Sequence, residues 1–279
     1  MQQIFHDKLI MIPIDFTPIT DNALSYASSF AKIFNNKLML MHVADKNTLA
    51  EAEKKLADKA LNNQNNFGVE TACTIVEGNI FDHIGQTAAE TAAALVVMGT
   101  HGIKGTQRLM GSHAIKVITH STVPFIVTQS RPFEEIKNIL IPVDFSMEIK
   151  QVLIFAMEIA EQFGATIHLL SRPVSDEWLL KKVKLNLQYA KDFFEENDVN
   201  VSVIDSFTGK DFQKETVNAA VATASSLIVI LIDPDQGLVD YMMGSYEQKV
   251  IANDAGIPVM CINMKSIKSV SYSAFMTGL

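Results

Sequence analysis

The chain has 279 residues, 48% hydrophobic and 19% charged, the balance of an ordinary soluble globular protein of roughly two domains at about 150 residues each. A net charge of -8 and a pI near 5.4 argue against a broad nucleic-acid-binding face, and no apolar run reaches the roughly 18 residues of a membrane span. The opening MQQIFHDKLIMIPIDF lacks the basic start and small-residue cleavage site of a secretion signal, and Cys73 and Cys261 have no CxxC partner, so reduced core thiols and a cytoplasmic location are expected.

In chain order, near-continuous apolar runs at 9–14, 37–43, 70–76, 94–99 and 124–129 alternate with stretches whose apolar residues recur every three or four positions. Continuous runs are what strands covered on both faces look like, and the intervening stretches read as amphipathic helices. Strand followed by helix followed by strand implies right-handed parallel crossovers, hence an α/β, doubly wound, five-stranded parallel sheet with helices on both faces. The pattern then starts again, with strands expected near 138–143, 165–170, 199–205, 227–232 and 258–263.

The second set is a copy of the first. LIMIPIDF from Leu9 echoes ILIPVDF from Ile139, so that Asp15 and Asp144 lie 129 apart, and the same offset sets LMLMHV (38–43) on IHLLSR (167–172). The offset drifts to 133 between Gly111-Ser112 and Gly244-Ser245 and to 134 between Pro124 and Pro258. Small loop changes in a duplicated unit of about 130 residues produce that drift, and a unit of this length is too long for a solenoid repeat. Two domains are therefore expected, 1–131 and 136–265, joined through Ser130 to Glu135, with a tail at 266–279 that loses periodicity.

In an open parallel sheet, ligands gather outside the carboxyl ends of the strands where strand order reverses. Asp15 closes the first strand and Met98-Gly99 the fourth, so both should face that crevice. Beyond them runs GTHGIKGTQRLMGS, with four glycines in fourteen residues ahead of a helix start. Bare backbone approaches a ligand closely, and free N–H groups at a helix start favour an anion, so the loop suits phosphate.

With those residues in view the chain resembles the universal stress protein family, as two family units placed head to tail. The resemblance rests on IPIDF and IPVDF, on MHV at the second strand end, and on the glycine loop ending in Gly-Ser, and it spans about residues 7–264. ATP-binding members of that family carry Gly, two residues, Gly, nine residues, then Gly-Ser or Gly-Thr; here the second gap is eight. The resemblance implies ATP, accompanied by Mg, in the first unit. It implies Asp15 on the ribose, backbone groups of Val43 at the adenine edge, and Met98, Gly99, His101 and Gly102 beside the ribose and first phosphates. Gly111, Ser112 and His113 would receive the outer phosphates. Lys104 and Arg108 add cations in the loop. No catalytic residue and no separate metal site is assigned.

At the same positions the second unit reads IDPDQGLVDYMMGS, placing Asp233 and Asp235 where the first has Thr100 and Gly102. Carboxylates there repel phosphate, so only the first unit is expected to bind nucleotide. Each first-unit residue also has a structural reading. Asp15 and Asp144 are good helix caps, the glycines suit turns, Ser112 suits an N-cap, and Val43 and Met98 suit strand ends. His101 and His113 equally read as surface histidines and Lys104 and Arg108 as solvated charges, while His42 has no echo in Ser171 and reads as structural. Gly209-Lys210 is no P-loop, since Asp211 stands where Ser or Thr is required, and neither GxGxxG nor GxSxG is present in the expected place.

Phosphoryl transfer needs carboxylate-held metal, a positioned nucleophile and a cation on the leaving group. The loop offers no second acid beside Asp15, so a stress-response regulatory protein acting through nucleotide and protein partners is expected. A slow ATPase or nucleotide-transfer enzyme, or a nucleotide-free interaction module, are the alternatives. Family members commonly pair two units across the fifth strands, so PFIVTQ and PVMCIN imply an internal pseudo-dimer; pairing of two chains into a homodimer stays open at this stage.

Overall fold

The computed structural model describes residues 3–45, 48–100, 111–146, 149–205, 211–232 and 245–263, with backbone alone at 81–82, 111–113 and 151. Its first half runs β1 (Leu9–Pro13), α1 (Pro18–Phe34), β2 (Lys37–Ala44), α2 (Leu49–Phe67), β3 (Thr71–Glu77), α3 (Ile80–Glu90), β4 (Leu95–Gly99), α4 (Gly111–Thr119) and β5 (Phe125–Thr128). The second half repeats the order: β6 (Asn138–Val143), α5 (Ile149–Phe163), β7 (Thr166–Ser171), α6 (Glu177–Glu196), β8 (Val201–Asp205), α7 (Phe212–Ala222), β9 (Leu227–Ile232), α8 (Tyr246–Ile251) and β10 (Val259–Asn263). Each strand falls within a residue or two of its apolar run.

Within each half all pairings are parallel, in the orders β3-β2-β1-β4-β5 and β8-β7-β6-β9-β10. The two sheets join along one antiparallel seam, with Val259 opposite Val127, Met260 opposite Ile126 and Cys261 opposite Phe125. The result is one ten-stranded sheet. Central strands have both faces covered, which is why LIMIP, LVVMG and VMCIN are buried almost throughout, whereas the outermost strand β3 carries only exposed and half-buried residues. Cys261 is buried in the seam, but Cys73 lies exposed on β3, contrary to the expectation of two core thiols: a run covered on one side only leaves its outward residues in water.

Two apolar layers flank the sheet. One is built on α1, α2, α5 and α6, the other on α3, α4, α7 and α8. The first layer crosses between the halves. Phe5 lies edge-on to Phe30 (6.1 Å) and Phe34 (5.9 Å) of α1 and 5.9 Å from Phe155 of α5, while Phe163 stands 6.0 Å from Phe34 and 6.5 Å from Phe133. The connecting segment is thereby packed, with Phe133 also edge-on to Tyr26 at 5.0 Å. Such buried aromatic rings carry a few kcal/mol each, about 3–5 on truncation to alanine.

Polar groups tie the halves with the same reciprocity. Gln129, just past β5, donates its amide to the carbonyls of Ile251 (3.3 Å) and Asn253 (2.9 Å) at the end of α8. Asn263, its counterpart at the repeat offset of 134, donates to Ile118 (2.8 Å) and Ser121 (2.9 Å) at the end of α4. Each half thus satisfies the carbonyls that the other half's helix leaves without an intrahelical partner.

Among the described residues no helix is long and apolar enough to cross a membrane.

Candidate functional site

Strand order reverses between β1 and β4 in the first half, so the chain leaves these neighbours toward opposite faces and opens a crevice at their carboxyl ends. Asp15, Val43, Met98 and Gly99 all border it, together with Thr20, Ile80 and Ile84. The cavity they enclose is about 10 Å³, room for a single water. The described part of α4 runs from Gly111. His101 and Gly102 lie outside the described residues, as do Lys104 and Arg108, and so do the side chains of Ser112 and His113.

Asp15 is half-buried and turns one oxygen back on its own chain. Its Oδ1 accepts from Thr17 N (2.9 Å), Thr17 Oγ1 (2.6 Å) and Thr20 Oγ1 (3.0 Å). The capping reading is therefore met in altered form: the carboxylate binds the N–H two residues on, as an Asx turn, and takes the hydroxyl with which Thr17 would have capped α1. Among the described residues Oδ2 makes no hydrogen bond, which leaves it available to the crevice.

Gly99 has a second reason to be glycine. A Cβ there would stand 2.8 Å from Ile19 Cγ2 and 2.8 Å from the Ile19 carbonyl oxygen, so α1 passes β4 at backbone contact. Met98 is buried in the layer formed by Met11 and Met41, so its side chain is a core contact.

Val43 presents backbone. Met41 O accepts from Ile14 N (2.7 Å) on the β1 side of β2, and Val43 shares that parity, so its N–H and C=O point past the end of β1 into the crevice. In the second half the corresponding N–H, that of Arg172, donates to Val143 O at 2.9 Å. In the first half the matching carbonyl, Ile14 O, accepts instead from His42 Nδ1 at 2.6 Å, and the His42 ring packs on Phe16 at 4.7 Å. Phe16 holds φ +63°, a left-handed backbone that turns its ring onto the imidazole. His42 is the residue that sequence reasoning set aside. Its signal was the very lack of an echo: Ser171 at the same position is too short to make this bond.

The second crevice is chemically unlike the first. Asp144 repeats the Asx turn, accepting from Ser146 N at 2.8 Å, but Arg172 replaces Val43 and its Nη1 lies 3.6 Å from Asp144 Oδ2. Ser245 caps α8, accepting from Gln248 N at 3.3 Å. Asp233, Asp235 and Gly244 lie outside the described residues. Burial pushes the Tyr246 hydroxyl upward from its ordinary pKa, so it stays protonated in its bond with Thr216 Oγ1 (3.1 Å).

Residues 8–129 match a family model described as the universal stress protein family. The first half of the chain belongs to that family. Universal stress protein MJ0531 of Methanocaldococcus jannaschii is 28% identical over 139 residues, covering 44% of this chain and 82% of its own length. Universal stress protein MJ0577 of the same organism is 23% identical over 155 residues, covering 44% of this chain and 96% of its own. A crystal structure of a universal stress protein from Archaeoglobus fulgidus superposes over both halves, with TM-score 0.74, 14% identity, and 93% and 97% of the two chains covered. A functionally unknown protein from Pseudomonas aeruginosa does so at TM-score 0.67 and 16% identity, covering 97% and 98%. At those identities the likeness is one of fold: two universal stress protein folds in tandem.

Proposed function

We propose that this universal stress protein is a nucleotide-binding regulator which takes ATP in the first crevice and leaves the second free of nucleotide. The reading is supported by one observation above others: at the strand-order reversal, the outward backbone of Val43 and the Asp15 carboxylate, whose Oδ2 makes no hydrogen bond among the described residues, border one crevice. The adenine edge would bond Val43 backbone and the ribose hydroxyls Asp15 Oδ2. Because the crevice floor admits only one water, the base would lie over Val43 at the mouth rather than beneath it. The phosphates would run along the glycine loop, through His101 and Gly102, to the N–H groups of Gly111, Ser112 and His113. Magnesium would enter with the phosphates, since among the described residues no group of three His, Cys, Asp or Glu side chains could hold it unaided.

In the second crevice, Arg172 and Asp144 occupy the positions of the adenine-edge and ribose residues and are paired with each other. That pairing supports a second half that serves as the permanent partner of the first, an internal pseudo-dimer in which the units at 1–131 and 136–265 share the β5 and β10 seam. Binding without rapid turnover is the reading favoured by a loop sequence, GTHGIKGTQRLMGS, that carries no acid. Purified protein, denatured and assayed for adenine nucleotide, should release intact ATP. Release of ADP that rises with incubation and disappears in Gly111→Val would support the slow ATPase instead. The absence of any nucleotide, with no thermal shift on adding ATP, would overturn the proposal.

A further inference from the structure

The second crevice encloses about 360 Å³ outside the ends of β6, β7 and β9, within the range of roughly 300–1,000 Å³ typical of small-molecule sites. Its wall carries Asp144, Phe145, Arg172, Phe212, Tyr246 and Glu247 over apolar strand ends. Arg172 is fixed from both sides, its guanidinium 5.8 Å from the Phe145 centroid and 5.6 Å from that of Phe212. Phe212 in turn stacks on Tyr246 at 5.4 Å and 15°. Asp144 is fixed by the bond its Oδ1 accepts from Ser146 N. The two charges face each other at 3.6 Å, beyond hydrogen-bond length, and their side chains are 38% and 35% exposed. Both therefore keep directional bonding capacity toward the cavity.

A polyphosphate meets two carboxylates there, Asp144 and Glu247, against one guanidinium. A simple carboxylate meets Asp144, and a simple amine meets Arg172. A molecule carrying both charged groups on one carbon satisfies both members at once, its carboxylate on the guanidinium fork and its ammonium on Asp144 Oδ2. The aromatic and aliphatic walls then suit an apolar body.

We propose that the second crevice binds a free α-amino acid with an apolar or aromatic side chain. This site is independent of the ATP reading, which concerns the first half alone.

The full chain is titrated calorimetrically with L-phenylalanine and L-leucine, and in parallel with 3-phenylpropionate and phenethylamine, which keep one charge each. Saturable binding of an amino acid at one site per chain is expected, with each single-charge analogue about tenfold weaker or more. Arg172→Gln and Asp144→Asn should each weaken it by a similar factor. Arg172→Lys, which keeps charge but loses the fork, should fall between Arg172→Gln and wild type. A thermal melt of each variant without ligand establishes that it is folded. No saturable binding of either amino acid, equal binding by folded Arg172→Gln, or analogues as tight as the amino acids would overturn the proposal. ATP heats lost in Gly111→Val report on the first crevice and leave this result untouched.

Discussion

Asp15 and Gly99 each meet a local structural demand beside the ligand contact proposed for them, and that demand was legible in the sequence to different degrees. The position of Asp15 at a strand end announced both a cap and a ligand contact; that Thr17 and Thr20 would occupy one oxygen and free the other depends on rotamers no spacing encodes. Asp15→Ala removes an acceptor from three donors and should cost about 1–2 kcal/mol, read as a lowered denaturation midpoint without ATP, besides weakening nucleotide. A variant as stable as wild type would show that the turn is idle. Gly99 looked like a loop glycine chosen for a ligand, yet the atom nearest a substituted Cβ belongs to Ile19, a contact made by helix packing over long range. Gly99→Ala should therefore lower stability by about 1–3 kcal/mol even in nucleotide-free protein. If it melts as wild type does and loses only ATP affinity, the packing explanation fails.

Elements were the most legible level, because strands buried on both faces leave continuous apolar runs and the repeat doubled every signal. What stayed hidden were contacts made by short segments without periodicity. Residues ahead of β1 form such a segment: Phe5 enters the aromatic cluster, and Glu158 of α5 accepts from Ile4 N (2.7 Å) and Phe5 N (2.8 Å). Burial raises the Glu158 pKa above its ordinary value, opposed in part by those bonds. A raised folded pKa gives stability that is complete below the unfolded value and is lost as pH climbs through the folded one. Relative to Glu158→Gln, wild type should thus lose stability as the pH rises above about 4.5, measured as the difference in urea midpoints. A difference that grows in favour of wild type over that window would refute the assignment. The reciprocal amides offer a second check. Asn263→Ala removes the side-chain donor from the carbonyls of Ile118 and Ser121 at the end of a helix in the other half, Ile118 O keeping its bond from Ser121 N (3.1 Å), and should lower the urea midpoint by an equivalent of about 1–2 kcal/mol.

At the scale of the whole molecule, duplication and asymmetry work together. The fifth strand of each half would expose an apolar edge if the half stood alone; paired with each other, β5 and β10 close the sheet at its centre and leave the more polar β3 and β8 outside. The tandem arrangement was legible from the offset of 129 to 134, and pairing across the fifth strands was implied by the family resemblance, whereas the antiparallel direction of the seam was not. The chemistry of the second crevice was legible only in part: the aspartates after β9 led to the expectation that it disfavours phosphate, whereas the Arg172 and Asp144 pair requires the three-dimensional meeting of β6 and β7. One half free to bind ATP and one barred from it is the central claim, and isothermal titration of ATP into nucleotide-free full-length protein tests it most directly. One equivalent per chain is expected, abolished by Gly111→Val and unchanged by Arg172→Gln. Two comparable sites per chain, or a single site that survives Gly111→Val and is lost in Arg172→Gln, would contradict it.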